Sequence, residues 1–266
     1  MNSSEQKRAL ASAVAAARRV GELMRKNKSA TKKINEQSQH DIKLDLDVRS
    51  QKLIERKLLT DFPTSSVLGE EGVAGNQDSD LRWIVDPIDG TVNFTYGIPH
   101  ACVSIALQEK TKNKNYSTIV GVVYDPFSDE LWTAIRGGPA KLNGKKISVS
   151  RRKKLDEAVV AIGFAKKPEI LEATLPVFTQ LVRKVRKVRI MGAAALSLTY
   201  VASGRFDGYI EFGVRLWDIA AGGLIIECAG GEFFHEAIAG DHSYRMLPNN
   251  GLVGKQLKEI AQPLFR

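Results

Sequence analysis

The sequence predicts a mixed α/β protein, and three stretches of the chain support that prediction. Near the start, apolar residues recur at intervals of one, three and four, which is typical of an amphipathic helix. From Arg82 onward, short apolar or alternating runs predict strands. After about residue 150, strand-like runs alternate with longer helical stretches, which indicates an α/β second half. We therefore expect two subdomains, residues 1–150 and residues 151–266.

Two helices are predicted before the first of these strands. The first covers roughly residues 4 to 26, where Ala9, Ala13 and Val20 fall on one face. The second begins after Asp47, which would be its N-cap, and ends before Pro63, because a helix does not normally continue into a proline. Their apolar faces predict that both helices pack against the rest of the protein.

The remaining elements follow in order along the chain. In the first half, five runs predict strands of one sheet: RWIVD, CVSIALQE, STIVGVVYD, DELWTAI and, after the turn NGKK, ISVS. In the second half the predicted order is the strand AVVAI, a helix near 169–187, a short strand, a helix from Ala193, the strand DGYIEF and a helix from Trp217. Because clefts between such halves favour ligands, we expect the functional site there.

The chain length, the cysteines and the distribution of apolar residues indicate the class of protein and its location. At 266 residues the chain can bury a large core without disulfides or a structural metal. Cys102 and Cys228 lie in separate apolar stretches, and we interpret them as small buried side chains in a reducing compartment. No stretch of about 18 consecutive apolar residues exists, and Met1 is followed by polar residues rather than a signal-peptide core. We expect no membrane span and a cytoplasmic location.

A surplus of basic residues predicts an anionic partner. The chain has 39 Lys and Arg against 30 Asp and Glu, a formal net charge of +9. Such a charge attracts phosphorylated metabolites or nucleic acid. The densest basic runs are Arg151–Lys154 and RKVRKVR from Arg183 to Arg189, which lack the aromatic residues of a single-strand binder. We interpret the second run as a solvated helix end, and nucleic acid stays an alternative partner that is not favoured.

The most informative segment is WIVDPIDGTVNF, residues 83–94, in which an apolar strand runs into two aspartates. Asp86 and Asp89 would repel each other unless they are protonated or bridged by a cation, and Pro87 stiffens the turn between them. Gly90 and Thr91 follow directly and offer backbone N–H groups that a phosphate can approach. The alternative is an ordinary turn at the end of a strand.

Two further segments also place acidic residues beside apolar ones. VLGEEG, residues 67–72, offers Glu70 or Glu71, unless it is a plain surface turn. RLWDIAAGGLIIECAGG, residues 215–231, places Asp218 at the start of a helix, where it is a metal ligand or an N-cap. Oxygen ligands without a Cys or His cluster favour Mg²⁺ over zinc, and two such ions can support phosphoryl transfer to water.

In their order and spacing, VLGEEG, WIVDPIDGTVNF and LWDIAAGGLIIECAGG resemble the inositol monophosphatase family over nearly the whole chain. The resemblance implies a layered α-β-α-β-α sandwich, a homodimer, two or three Mg²⁺ ions and a small phosphorylated metabolite as substrate. The implied metal ligands are the side chains of Glu70, Asp86, Asp89 and Asp218 and the backbone carbonyl of Ile88.

The resemblance also implies roles in catalysis and substrate binding. Thr91, Asp47 and Glu70 would form the catalytic set that activates the attacking water. The implied substrate-binding residues are Ile88, Asp89, Gly90, Thr91, Gly192, Ala193, Ala194, Glu211 and Asp218. Of these, the backbone of Gly90 and Thr91 would hold the phosphate, and Glu211 would contact a substrate hydroxyl.

This chain departs from the family pattern at two places. Ala193 stands where relatives often have Ser or Thr, so any substrate contact there must come from the backbone. Lys43 and Leu44 stand where relatives commonly have a Val-Thr pair, in a loop that contributes to an additional metal site. The second departure leaves the number of bound ions open between two and three.

Several other functions compete with hydrolysis of myo-inositol monophosphate, which the segment DPIDGTVNF favours. Family members also act on fructose 1,6-bisphosphate, histidinol phosphate, NADP or 3′-phosphoadenosine 5′-phosphate.

DLDV, residues 45–48, matches a haloacid dehalogenase-type motif, but it follows charged residues and begins a helix instead of ending a buried strand. An inactive protein that binds RNA or protein through its basic surface is disfavoured, because every expected acidic ligand is present.

Overall fold

The chain folds into helices and strands that alternate along most of its length, and the computed structural model describes residues 1–28, 34–37, 42–165 and 167–265. The helices are α1 (Ser3–Asn27), α2 (Asp45–Asp61), α3 (Thr91–Thr95), α4 (Pro168–Lys184), α5 (Ala194–Ala202), α6 (Leu216–Cys228) and α7 (Gly254–Ala261). The strands are β1 (Ile34–Gln37), β2 (Ile42–Leu44), β3 (Ser66–Gly69), β4 (Gly72–Gly75), β5 (Leu81–Asp89), β6 (Cys102–Lys110), β7 (Tyr116–Asp125), β8 (Glu130–Ile135), β9 (Lys141–Leu142), β10 (Lys145–Lys146), β11 (Val159–Ile162), β12 (Lys187–Arg189), β13 (Gly208–Arg215), β14 (Glu232–Ala237) and β15 (Ser243–Asn249).

The first large sheet has eight strands in the order β10-β9-β8-β7-β6-β5-β3-β4. Its neighbours are antiparallel except for β3 and β5, which run parallel. Four of the five strands predicted for this sheet are confirmed. The prediction for ISVS is wrong, because Ile147 donates its N–H to the Ala140 carbonyl (3.0 Å) and Val149 donates to the Ala229 carbonyl (3.2 Å). That segment therefore ties the β9–β10 hairpin to the end of α6 without adding to the sheet.

The second sheet has five strands in the order β12-β11-β13-β15-β14. Strand β11 is parallel to both β12 and β13, whereas β15 is antiparallel to β13 and to β14. The predicted strands and helices between residues 158 and 228 are confirmed, with the fourth helix ending at Lys184. Strands β14 and β15 and helix α7 were not predicted. The subdomain boundary near residue 150 stays a prediction.

The helices and the two sheets stack in layers. Helices α1 and α2 pack on the outer face of the first sheet, and their apolar residues form one core with Val85, Val103 and Ile105. Helices α5 and α6 fill the space between the two sheets, and α4 and α7 cover the outer face of the second sheet. The predicted α-β-α-β-α sandwich is confirmed. Among the described residues, no helix combines the length and the hydrophobicity needed to cross a lipid bilayer.

The first two helices begin where local hydrogen bonds and charges favour them. Asn2 caps α1: its Oδ1 accepts the Glu5 N–H (2.9 Å), and the Glu5 carboxylate accepts the Asn2 N–H (2.8 Å). Helix α2 begins at Asp45, three residues earlier than predicted, and an ion pair of 3.7 Å between Arg49 and Asp45 supports its first turn. Asp47 is therefore not an N-cap but a buried residue inside that turn.

Helix α6 owes its position between the sheets to small residues. A Cβ on Gly222 would lie 2.6 Å from the Leu198 side chain, and one on Gly223 would lie 2.2 Å from Phe233. On the other side of the helix, a Cβ on Gly121 of β7 would lie 2.8 Å from the Ala221 carbonyl. Without side chains at these positions, the helix approaches both sheets closely. Its N-terminus, which carries Asp218, thereby reaches the end of β5.

Candidate active site

The site begins where β3 and β5 end side by side. Because the two strands are parallel, the residues that follow them emerge at the same edge of the sheet. Gly69 pairs with Val85, and Glu70 donates its N–H to the Val85 carbonyl (3.1 Å). The structure therefore brings Glu70 next to the segment that carries Asp86 and Asp89, as the spacing of the motifs implied.

The loop from Asp86 to Thr91 is held by its own hydrogen bonds. The pairing of β5 with β6 is irregular between Asp86 and Asp89. Within the loop, the Asp86 Oδ1 accepts the Ile88 N–H (3.0 Å), and the Thr91 hydroxyl donates to the Ile88 carbonyl (2.8 Å). Gly90 has a φ of +90°, and a Cβ there would lie 2.9 Å from the His100 carbonyl. Only glycine fits that position, so the tight turn predicted between the acids and Thr91 is present.

Asp89 connects this loop to the second half of the chain. Its Oδ1 accepts the Ala194 N–H (3.0 Å) and its Oδ2 accepts the Ala195 N–H (2.8 Å), so its carboxylate caps helix α5. Ala193 is the N-cap residue by position, but its side chain makes no capping bond. The predicted substrate-facing segment at Gly192–Ala194 thus lies beside Asp89, and the Ala194 N–H already has an acceptor.

Asp218 reaches the same place from α6. It is the third residue of that helix, and its Oδ2 accepts the Arg215 N–H (2.7 Å). Arg215 is the N-cap residue, so the interpretation of Asp218 as an N-cap is wrong by three positions. The Ser104 hydroxyl donates to the Trp217 carbonyl (3.0 Å), which ties the start of α6 to β6. Asp218 is therefore aligned with the ends of the strands that carry the other acids.

The electrostatics show that these acids form one cluster. Burial raises the pKa of Asp86 well above its usual range, and the charges of Glu70, Asp89, Asp218 and Asp47 raise it further, in decreasing order. The pKa of Asp218 is raised to about 8, first by burial and then by the charge of Asp89. The pKa of Asp89 is raised to about 6, because burial outweighs the hydrogen bonds it accepts from α5. Full ionisation of this cluster requires a compensating positive charge.

The donor chemistry of the cluster fits Mg²⁺. In the part of the chain that the structure describes, no three side chains of the types His, Cys, Asp and Glu are arranged to hold an ion as they stand. The acids nevertheless supply only oxygen donors, and the charges of the others raise the pKa of Asp86. Of the two glutamates that the sequence left open, Glu70 is the one whose charge acts on Asp86. A divalent cation would offset the repulsion among these carboxylates.

Glu211 lies on β13 beside this cluster. Burial raises its pKa to about 7, and the Tyr209 hydroxyl hydrogen-bonds to its carboxylate. A Cβ on Gly163 would lie 2.1 Å from that carboxylate, so the space that Glu211 occupies depends on a glycine there. Among the charges that raise its pKa is Asp89. The structure therefore places Glu211 close to Asp89 of the cluster.

Some residues that organise the site were not predicted from the sequence. Tyr209 stands two positions from Glu211, a spacing that puts both on one face of a strand, and this was the only signal available for it. Asn93 donates to the carbonyls of His100 and Met191 (2.9 Å each) and links the loop to the segment before α5. Cys102 is buried as predicted, and its thiol lies 3.5 Å from the Asp89 Oδ2, whereas Cys228 is only partly buried.

The described contacts do not test the departure from the family pattern at Lys43 and Leu44. Lys43 and Leu44 belong to strand β2, and their side chains lie outside the described part of the structure. DLDV, by contrast, lies in the first turn of α2, so it does not end a buried strand as a haloacid dehalogenase-type motif does.

Together, the layered fold and the carboxylate cluster are those that the resemblance implied for a phosphatase of the α-β-α-β-α sandwich type. The sequence profile of the inositol monophosphatase family matches residues 5–264, and the chain belongs to that family. The family and the enzyme class predicted from the sequence are therefore confirmed.

Individual relatives agree with this assignment. The chain is 39% identical over 236 residues to Nus factor SuhB of Pasteurella multocida, which covers 87% of this chain and 86% of that protein. Among solved structures, it is similar to the extragenic suppressor protein suhB from Bartonella henselae, with a TM-score of 0.84, 32% identity, and coverage of 94% of this chain and 96% of the other. It is also similar to the IMPase of Thermotoga maritima, with a TM-score of 0.83, 30% identity, and coverage of 95% and 96%.

Proposed function

We propose that this protein is a Mg²⁺-dependent phosphatase that hydrolyses a small phosphate monoester, with myo-inositol monophosphate as its substrate. The observation that carries the proposal is the buried Asp86, whose pKa is raised by four neighbouring acids in a member of the inositol monophosphatase family. The segment DPIDGTVNF and the similarity to an IMPase favour inositol monophosphate. Within the same family, fructose 1,6-bisphosphate, histidinol phosphate, NADP and 3′-phosphoadenosine 5′-phosphate are the alternatives.

The cation site of this proposal consists of oxygen ligands at the edge of the first sheet. The proposed ligands are Glu70, Asp86, Asp89, Asp218 and the Ile88 carbonyl, for two or three ions. When bound there, Mg²⁺ would supply Lewis-acid stabilisation of the negative charge on the phosphate and the leaving oxygen, and it would make water more acidic. The protein's part is to hold the acids ionised and converging, which the hydrogen bonds to Asp86, Asp89 and Asp218 support.

The remaining residues of the site orient water and substrate in this proposal. Thr91, Asp47 and Glu70 position and activate the attacking water; the Thr91 hydroxyl is anchored on the Ile88 carbonyl, and Asp47 is buried on α2. The backbone N–H groups of Gly90 and Thr91 bind the phosphate. Hydrolysis is then direct, without a phosphoenzyme.

Substrate contacts complete the proposed site. Glu211 accepts a hydrogen bond from a substrate hydroxyl, and the Gly192–Ala194 segment faces the substrate through its backbone. The N–H of Ala194 is occupied by Asp89, so the contact at this segment falls to Gly192 and Ala193. Glu211 is the residue with which this site would distinguish a polyhydroxylated substrate from other monoesters.

The test is phosphate release from the five substrates, with Mg²⁺ and with EDTA. We expect Mg²⁺-dependent release that is greatest with myo-inositol monophosphate and is lost in Asp86→Asn. Asp78→Asn, which removes an exposed carboxylate outside the cluster, is the matched control and should behave as wild type. Release that persists in EDTA, or an Asp86→Asn variant as active as the control, would contradict the site; preference for another substrate would reassign the specificity alone.

A second candidate function is the binding of nucleic acid through the basic surface. Two basic runs that are about 30 residues apart in sequence meet in the fold, because β11 pairs with β12 and the Arg186 N–H donates to the Leu155 and Ala158 carbonyls (3.2 and 3.0 Å). A relative named Nus factor makes this candidate worth testing. Replacing Arg183, Lys184, Arg186 and Lys187 by Glu should abolish retention on RNA, and unchanged retention would dismiss it.

Two other expectations stay predictions. The homodimer can be tested by light scattering of the purified protein, where a mass near twice 29.3 kDa is expected. The cytoplasmic location can be tested by fractionation of cells that produce the protein.

A further inference from the structure

Gln51 is a buried polar residue that the proposed function does not use. It lies on α2, four positions after Asp47, so both side chains are on one face of the helix. Their exposed fractions are 3% and 2%. This face of α2 packs towards the turn that joins β3 to β4 and carries Glu70. A buried amide needs hydrogen-bond partners, and its partners show what it holds.

Both ends of the Gln51 amide hydrogen-bond to that turn, and the Nε2 also bonds to a neighbour on α2. The Oε1 accepts the Glu71 N–H (2.9 Å), and the Nε2 donates to the Gly72 carbonyl (3.1 Å). The Nε2 also donates to the Glu55 carboxylate (2.8 Å), which sets the orientation of the amide. A Cβ on Gly69 would lie 2.2 Å from the Oε1, so the residue before the turn leaves room for the Gln51 side chain.

Glu70 is thus held from both sides through its backbone. On one side its own N–H donates to the Val85 carbonyl of β5, and on the other side the next two residues bind Gln51. Strand β4 beyond the turn is largely exposed and lies at the edge of the sheet. The turn is closed by the pairing of Gly69 with Gly72, and Gln51 adds buried hydrogen bonds that tie it to α2.

We propose that Gln51 is a positioning residue for the metal site, which holds the β3–β4 turn so that the Glu70 carboxylate is directed at Asp86. This inference rests on the proposed function, because it assigns Gln51 a role only if Glu70 holds a cation. Residues that orient metal ligands typically contribute about 10- to 100-fold to metal affinity. Gln51→Ala should therefore weaken Mg²⁺ binding by about 10- to 100-fold.

The measurement is calorimetric titration of the apoprotein with Mg²⁺ alone, followed by kinetics over a range of Mg²⁺ concentrations. We expect Gln51→Ala to raise the Mg²⁺ dissociation constant and the Mg²⁺ concentration for half-maximal rate, while kcat at saturating Mg²⁺ changes much less. In the metal-free protein, hydrogen exchange at the Glu71 amide should become faster, because its acceptor is removed.

Gln108→Ala is a matched control for the loss of a buried amide. Gln108 has an exposed fraction of 5%, accepts a hydrogen bond from the Arg82 Nε (2.8 Å) and donates to the Thr118 hydroxyl (3.0 Å). It pairs with Arg82 of β5, four residues before Asp86, so it lies roughly 13 Å along the strand from the nearest acid of the cluster. We expect Gln108→Ala to lower Tm like Gln51→Ala but to leave Mg²⁺ affinity unchanged.

A charge-neutral exchange provides the rescue. In Gln51→Glu with Glu55→Gln, the new carboxylate still accepts the Glu71 N–H and the new amide at position 55 donates to it, whereas the donation to the Gly72 carbonyl is lost. Part of the lost Mg²⁺ affinity should return with the bond to Glu71, whereas Gln51→Glu alone, which places two carboxylates together, should recover less.

The outcomes separate this inference from the proposed function. If the wild type binds no Mg²⁺, both fail. If the wild type binds Mg²⁺ and Gln51→Ala binds it as tightly as Gln108→Ala, the role of Gln51 alone is overturned. Weaker binding in Gln51→Ala that the exchanged pair does not restore would assign the effect to general loss of packing and would also overturn it.

Discussion

Asp89 and Asp218 approach the same cluster from different regions, and the more buried of the two has the smaller pKa shift. Asp89 has an exposed fraction of 7% and a pKa of about 6, whereas Asp218 is only partly buried and its pKa is about 8. Asp89 accepts two N–H groups from α5, and Asp218 accepts one, from Arg215. Hydrogen bonds to the ionised form hold down the pKa of Asp89, whereas the charge of Asp89 adds to the effect of burial on Asp218, and these two causes set the order.

Asp89 and Asp218 also differ in how they support the start of a helix. Helix α6 is supported by its own Asp218, three residues after the N-cap, which is a local arrangement. Helix α5 is capped by Asp89, a residue 105 positions earlier in the chain. Asp89 therefore has two tasks, as a proposed metal ligand and as a structural link between the two halves of the chain, whereas Asp218 has mainly the first.

The largest expected effect is on activity, where the two acids should behave alike. Asp89→Asn and Asp218→Asn each remove a proposed metal ligand, and we expect each to lower kcat/KM at least about 100-fold. The measurement is phosphate release in saturating Mg²⁺, with Asp129→Asn, an exposed carboxylate outside the cluster, as the control. If either variant retained activity close to that of the control, its carboxylate would not be a ligand.

The sequence was sufficient to find both acids, but not their different environments. Each acid stands in a motif, after an apolar strand or before a run of small residues, and the pattern of residue types indicated metal binding. The bonds from Ala194 and Ala195 to Asp89 depend on the packing of α5 between two sheets, which leaves no trace in the local sequence. Asp47 shows the same limit, since its neighbours suggested an N-cap and only the packing of α2 revealed it as buried.

Stability should separate the two acids. At pH 8 without metal, Asp89→Asn should lower the free energy of unfolding by about 1–3 kcal/mol, because an amide cannot accept both N–H groups of α5. Asp218→Asn should lower it less, because the one amide oxygen still accepts the Arg215 N–H. Urea denaturation in EDTA measures both, and equal destabilisation of the two variants would contradict the comparison.

The pH dependence of stability should follow from the same raised pKa values. Asp218 and Asp89 hold protons in the folded state at pH values where the unfolded chain has lost them, so metal-free stability falls as pH rises from about 4 towards 8. Mg²⁺ offsets this repulsion, so it should raise Tm more at pH 8 than at pH 5. Thermal unfolding in EDTA and in Mg²⁺ across this range checks the sign, and a metal-free Tm that increased from pH 5 to pH 8 would oppose it.

The fold itself was predicted best where periodicity was strong. Helix α1 and strands β5 to β8 have clear apolar patterns and are confirmed, whereas β14 and β15 carry mixed residues such as His235 and Pro248 and were missed. The parallel pairing of β3 with β5 was likewise not predictable, because β3 is only four residues long and its partner follows an edge strand. That pairing sets the position of Glu70, so the family resemblance supplied what the local pattern did not.

The smallest effect is expected at Ala193, where the chain departs from its relatives. Serine at an uncapped helix start normally adds about 1 kcal/mol of stability. Here Asp89 already accepts the first N–H groups of α5 and Ala193 is buried, so the hydroxyl of Ala193→Ser should not increase the free energy of unfolding. In the Asp89→Asn background those groups lack a full acceptor, and the same substitution should recover about 1 kcal/mol. A double-mutant cycle by urea denaturation measures this coupling, and additive effects would mean that Asp89 does not act as the cap of α5.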